Sequence, residues 1–122
     1  MSDRQVVSSG SNFEEEFGYS RAVKKGNQIR VSGTAPIEDG EVVSPGDIEA
    51  QSQYVINEIV DALEELGSGA SDVVATRIYV LDFDDWKGIA SAHRDAFGDA
   101  QPACTLVEVS DMPMEGALLE IE

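Results

Sequence analysis

Hydrophobic and polar residues first alternate clearly over Gln28-Ile29-Arg30-Val31-Ser32-Gly33-Thr34, with Ile29 and Val31 on one side. A period of two predicts a strand with one buried face. The run Tyr19-Ser20-Arg21-Ala22-Val23 reaches this strand through Lys24-Lys25-Gly26-Asn27, a turn-forming cluster, so the two segments read as a β-hairpin. Upstream, residues 1–16 show no clear period and end in Glu14-Glu15-Glu16, although Val6 and Val7 suit the start of an edge strand. A second turn, Glu38-Asp39-Gly40-Glu41, leads into the short run Glu41-Val42-Val43.

From Asp47 to Leu66 the period lengthens. Ile48, Val55, Ile59, Ala62 and Leu66 fall three, four or seven apart, while Glu49, Asp61, Glu64 and Glu65 lie off that stripe, which predicts an amphipathic helix. Asp47 suits the N-cap, because its carboxylate can accept from the free amides of the first turn, and Gly67 suits the left-handed stop. Val73 to Leu81 is rich in β-branched residues and reads as a central strand. Asp82-Phe83-Asp84-Asp85 opens a second helix, in which Trp86, Ile89, Ala90, His93 and Phe97 recur at helical spacing and Gly98 closes the run. That spacing places Trp86 and Phe97 in the core. Residues 104–109 and 117–122 form two more strands around a turn at Met112-Pro113. The order ββ(β)αβαββ predicts a single α+β domain over residues 1–122, a mixed sheet with two helices on one face, since one sheet face of this size needs covering and two such helices can cover it.

Charge narrows the function classes. Eight Lys and Arg stand against 24 Asp and Glu, a formal net charge of −16, and a chain so poor in cations is ill suited to neutralise phosphates, so nucleic acid is an unlikely partner. The acids are spread along the chain rather than gathered in a tail, which reads as adaptation to molar salt, where surface repulsion is screened. No apolar run approaches the ~20 residues that a membrane helix needs, and the first residues lack the basic flank and apolar stretch of a signal peptide. The expectation is a soluble, cytoplasmic protein. With one cysteine, Cys104, and one histidine, His93, neither a disulfide framework nor a Cys/His zinc site is expected.

Several residues carry candidate chemistry. Arg77 shares a strand face with Ala75 and Tyr79, so its guanidinium needs an anion if that face is covered, and Glu120 and Glu108 are the candidates. Both glutamates interrupt otherwise apolar strands. A small sheet with one bare face and carboxylates set into its strands predicts subunits packed sheet to sheet with polar clefts between them, hence a homo-oligomer. His93 lies on the apolar stripe of the second helix with no nucleophile at activating spacing and reads as a satisfied core or interface residue. Asp82, Asp84 and Asp85 lack the glycine and distal glutamate of a calcium loop and read as capping, solvated residues.

Taken in order, Tyr19-Ser20-Arg21-Ala22-Val23, Val31-Ser32-Gly33-Thr34, Asp47-Ile48-Glu49-Ala50-Gln51, Asp72-Val73-Val74, Pro102-Ala103, Val107-Glu108-Val109 and Glu120-Ile121-Glu122 resemble the recurring segments of the RidA (YjgF) family of enamine/imine deaminases over nearly the whole chain. The resemblance implies a chorismate-mutase-like subunit, a homotrimer with ligand clefts at the subunit interfaces, and neither metal nor organic cofactor. In deaminating members an arginine within Pro-Ala-Arg-(Ser/Thr) clamps the carboxylate of a 2-imino acid, and a glutamate of the last strand positions the hydrolytic water. Here the segment is Pro102-Ala103-Cys104-Thr105, so a thiol stands where a guanidinium would make a bidentate, charge-assisted pair. Glu120 matches the catalytic position, and Tyr19 and Gly33 match the pocket. Arg77 and Arg21 are candidates to restore the lost clamp from other strands. The expectation is a homotrimer that binds a small metabolite, such as a 2-imino or 2-keto acid, with weak or absent deaminase activity toward 2-imino acids. A deaminase of altered substrate is the first alternative, and an endoribonuclease or translation inhibitor the second.

Overall fold

The computed structural model describes residues 3–122. Three antiparallel strands, β1 (Arg4–Val7), β2 (Ala22–Lys25) and β3 (Gln28–Val31), form one sheet segment in the order β1-β2-β3. A short helix, α1 (Asn12–Phe17), connects β1 to β2, and a two-residue hairpin, β4 (Ile37–Glu38) with β5 (Glu41–Val42), follows β3. After α2 (Ile48–Glu65) come β6 (Ala75–Val80), α3 (Trp86–Phe97), β7 (Ala103–Glu108) and β8 (Leu119–Ile121). The second sheet segment has the order β7-β6-β8, with β6 parallel to β7 and antiparallel to β8. This is the predicted α+β architecture with a mixed sheet. No helix among the described residues is long and apolar enough to cross a membrane.

The two sheet segments meet at one point, where Thr34 and Ile121 exchange backbone hydrogen bonds of 2.8 and 3.1 Å. Gly33 lies beside this junction. A Cβ built there would lie 1.9 Å from Glu120 Oε1, so the Glu120 side chain fills the space that a side chain at position 33 would occupy. The two segments of the mixed sheet thus join where the backbone at Gly33 makes room for the Glu120 carboxylate.

The helices cover one face. Val55, Ile56, Ile59 and Leu63 of α2 and Ile89, Ala92 and Phe97 of α3 pack against Ile78, Val80, Leu119 and Ile121 of the sheet. Asp47 caps α2 as the sequence predicts, its Oδ1 accepting from the Ala50 amide at 3.0 Å, and Gly67 follows with φ of 85°. Trp86 departs from expectation. It is 51% exposed, whereas Phe97 is 1% exposed. Trp86 is the first residue of α3, where the apolar stripe has not yet reached the core, and its ring lies 5.7 Å from Lys87 Nζ instead. His93 donates to or accepts from Thr76 Oγ1 at 2.9 Å and packs edge-to-face on Phe97, which satisfies it within the helix layer. Burial without a charged partner holds its pKa below the usual value.

Candidate functional site

Glu120 is placed by pairing. Tyr79 of β6 lies opposite Glu120 of β8, and neighbours in register share a face, so Glu120 projects with Tyr79 and Arg77 from the side of the sheet that the helices leave open. Ile121, one residue on, is fully buried beneath the helices. Half-buried among its neighbours, Glu120 has its pKa raised, first by desolvation and then by the negative charge of Glu122. The ion pairs found among the described residues, Lys25 with Asp3 and Arg77 with Glu122, leave it out.

A cavity of about 680 Å³ opens over this carboxylate, within the ~300–1,000 Å³ of small-molecule sites. Tyr19, Arg21, Gly33 and Glu120 line it together. The sequence signals that named these four lie up to a hundred residues apart, and the hairpin and the Thr34–Ile121 junction bring them into one space. Arg21 sits immediately before β2, and its Nη1 donates to Thr34 Oγ1 at 3.0 Å. Ile37 closes another side, its carbonyl accepting from Tyr54 Oη of α2 at 3.3 Å.

Two expected site residues lie elsewhere in the single chain. Cys104 is exposed on β7, the edge strand. Its register partner Thr76 is buried toward α3, so Cys104 stands on the helix side of the sheet and outside the cavity. Arg77 is exposed and pairs with neither Glu120 nor Glu108. Its Nη1 donates to Glu122 Oε1 at 2.6 Å, and Tyr79 Oη donates to the same oxygen at 3.0 Å. The Arg77 hydrogen bond to Glu122 raises the Arg77 pKa above its ordinary value. Glu122 itself borders the cavity, so Arg77 reaches the site only through it. Glu108 has a local task, since its Oε1 accepts from the Phe83 amide at 3.1 Å. Asp82 likewise caps the turn at Phe83–Asp85 through the Asp84 amide at 2.9 Å.

The wall that sequence reasoning missed is α1, which contributes Phe13, Glu14 and Phe17. Six residues are too few for a helical period to register. A capping signal was present, however: Ser11-Asn12-Phe13-Glu14 has the Ser-x-x-Glu form, and Gly18 follows the helix. Ser11 Oγ does accept from the Glu14 amide, at 3.2 Å.

Comparison with known proteins identifies the family and the fold. The family model for Endoribonuclease L-PSP matches residues 10–122. A RutC family protein of Pyrococcus abyssi is 42% identical over 106 residues, covering 85% of this chain and 82% of its own. The 3-aminoacrylate deaminase RutC of Acinetobacter baylyi is 33% identical over 104 residues, covering 84% and 82%. Among solved structures, a Mycobacterium tuberculosis member of the YjgF/YER057c/UK114 family superposes with a TM-score of 0.88 at 41% identity, covering 98% of this chain and 95% of that one. The chain therefore belongs to the Endoribonuclease L-PSP family, that of RidA and YjgF.

Proposed function

We propose that the cavity binds a small metabolite and hydrolyses its C=N bond, as an imine or enamine deaminase whose substrate differs from the small 2-imino acids. The observation that carries this reading is Glu120, a half-buried carboxyl with a raised pKa lining a cavity of small-molecule size. In an imine, water oxygen adds to the carbon while the Glu120 carboxylate takes one of its protons. That proton passes to nitrogen to give the carbinolamine, whose hydroxyl proton is then carried to nitrogen by the same carboxylate as the C–N bond breaks, so that ammonia leaves and a carbonyl remains. An enamine first takes a proton on carbon to become the imine. A carboxyl with a pKa moved toward neutrality suits both directions of transfer.

Substrate choice follows from the cations. With Cys104 in place of the family's arginine and outside the cavity, a four-carbon 2-imino acid loses its bidentate partner, and hydrogen bonds to charged groups contribute about 1.5–3 kcal/mol. Arg21 is the cation that lines the cavity. The open sheet face that carries Ala75, Arg77 and Tyr79 supports a homotrimer in which neighbouring subunits complete the cleft, and a cytoplasmic location fits the same reading. The net charge of −16 opposes the approach of RNA, so we do not favour the ribonuclease activity after which the family is described.

The test is ammonia release from freshly generated 3-aminoacrylate and 2-iminobutanoate in about 2 M KCl, corrected for spontaneous hydrolysis. Expected are measurable turnover of 3-aminoacrylate, its loss in Glu120→Gln by at least tenfold, weak turnover of 2-iminobutanoate by the native protein, and a gain on 2-iminobutanoate in Cys104→Arg within the trimer. An acid limb of the pH profile lying above the ordinary glutamate value of about 4.3 would identify Glu120 as the titrating base. Turnover unaffected by Glu120→Gln on every imine would overturn the proposal.

A further inference from the structure

Helix α1 supplies a part of the cavity that hydrolysis alone leaves unused. Phe13 and Phe17 stand four residues apart, on one face of α1, and both line the cavity while remaining 43% and 81% exposed. Tyr19, 41% exposed, meets Phe17 edge-to-face with ring centroids 6.3 Å apart. Aromatic rings contribute large apolar area wherever they are covered, so three of them left in water at one cavity rim mark a surface built to receive something apolar.

The helix that carries them is fastened. Glu14, 6% exposed, accepts from Ser8 Oγ at 3.1 Å, from the Ser9 amide at 3.1 Å and from Ser9 Oγ. The amides of Gly18 and Tyr19 return to the Glu14 carbonyl at 2.9 and 3.1 Å. A carboxylate so engaged holds the segment before α1 against the helix and keeps Phe13 and Phe17 beside the cavity. Glu14 is thus a positioning residue, with its charge already satisfied by serine donors.

The remaining charges distinguish what else the cavity accepts. Glu122 is taken by Arg77 and Tyr79, whereas Arg21 donates to a neutral hydroxyl and takes part in neither ion pair found among the described residues. A guanidinium has five donors, so Arg21 retains donors for an anion.

We propose that the substrate is a planar imino or enamino carboxylate with an aromatic or similarly bulky apolar side chain, its carboxylate held by Arg21 and its side chain by Phe13 and Phe17. This rests on the reading of Glu120 as the hydrolytic group, and it makes α1 the element that sets specificity. The rings' alternative occupant is a second copy of the chain, which the experiment distinguishes.

Stable 2-keto acids serve as probes, with affinities measured by calorimetry in about 2 M KCl for phenylpyruvate and 2-oxobutanoate. Phenylpyruvate is expected to bind about five- to tenfold more tightly, the worth of one or two aromatic contacts. In Phe17→Ala and Phe13→Ala, both at exposed positions where folding tolerates the change, that ratio falls toward one. In Arg21→Met both affinities fall and the ratio stays. A wild-type ratio near one, no binding of either acid, or loss of subunit association in Phe17→Ala with the ratio kept would each overturn the inference. If small imines are hydrolysed with dependence on Glu120 but phenylpyruvate is not preferred, the inference fails and the hydrolase reading stands. If phenylpyruvate is preferred but its imine is not turned over, the ligand class stands and the hydrolase reading fails.

Discussion

Gly33 and Glu120 occupy one space, and that shared space fixes where the carboxylate lies. A Cβ at position 33 would meet Glu120 Oε1 at 1.9 Å and Cδ at 2.9 Å. The obstacle is the end of a flexible side chain, so Gly33→Ala moves the carboxylate rather than the fold. Gly33→Ala is expected to lower imine turnover by tenfold or more, because misplacement by about 1 Å can cost on the order of 10²-fold, while the melting temperature changes little. Loss of folding with no soluble protein, or full activity, would show that the contact does not position Glu120. At this scale the sequence was informative where a residue type is costly in its setting. A carboxylate within an apolar strand pointed to a polar cleft, whereas Tyr19 and Gly33 were placed in the pocket by the family resemblance alone. Arg77 was misassigned to Glu120 or Glu108 because its partner, Glu122, sits across the β6–β8 pairing, where register alone decides contact.

The elements with long periods were legible for a physical reason. The stripe Val55, Ile59, Ala62, Leu66 is buried along α2 as read, since eighteen residues give the period five turns in which to show. Helix α1 escaped because its hold on the fold is not a stripe but Glu14 and two serines. Helix α3 shows how far burial can constrain a polar member of a stripe. His93 has its pKa lowered by desolvation, so the folded state resists its protonation. Above the unfolded value of about 6.5 both states are neutral and His93 adds no pH dependence. As pH falls below it the unfolded chain gains the proton first, and stability is lost until pH reaches the lower folded value. Chemical denaturation at constant salt is therefore expected to show a stability decrease as pH falls below about 6.5 that is smaller in His93→Gln. An identical slope in the variant would mean that His93 stays equally accessible to protons in both states.

At the scale of the molecule, the charge and the open sheet face have to be reconciled. The ion pairs of Lys25 with Asp3 and Arg77 with Glu122 lie at the surface, where such pairs contribute about 0–1 kcal/mol. Raising salt therefore costs little attraction and removes much repulsion from a chain of net charge −16. The Debye length falls from about 10 Å at 0.1 M to about 3 Å at 1 M. Association multiplies the same repulsion, because three chains brought together carry three times the charge. The sheet face that carries Ala75, Arg77 and Tyr79 is left uncovered by the helices in the single chain, and packing it against a neighbour requires that repulsion to be screened. Sedimentation in KCl is thus expected to show a trimer at about 2 M that loosens toward monomer near 0.1 M, with the melting temperature falling in parallel. Imine turnover should follow the trimer rather than the folded fraction, since the cavity borders the same open face through Glu120. A monomer at every salt concentration, still hydrolysing imines, would place the whole site within one chain and remove any role for the neighbour.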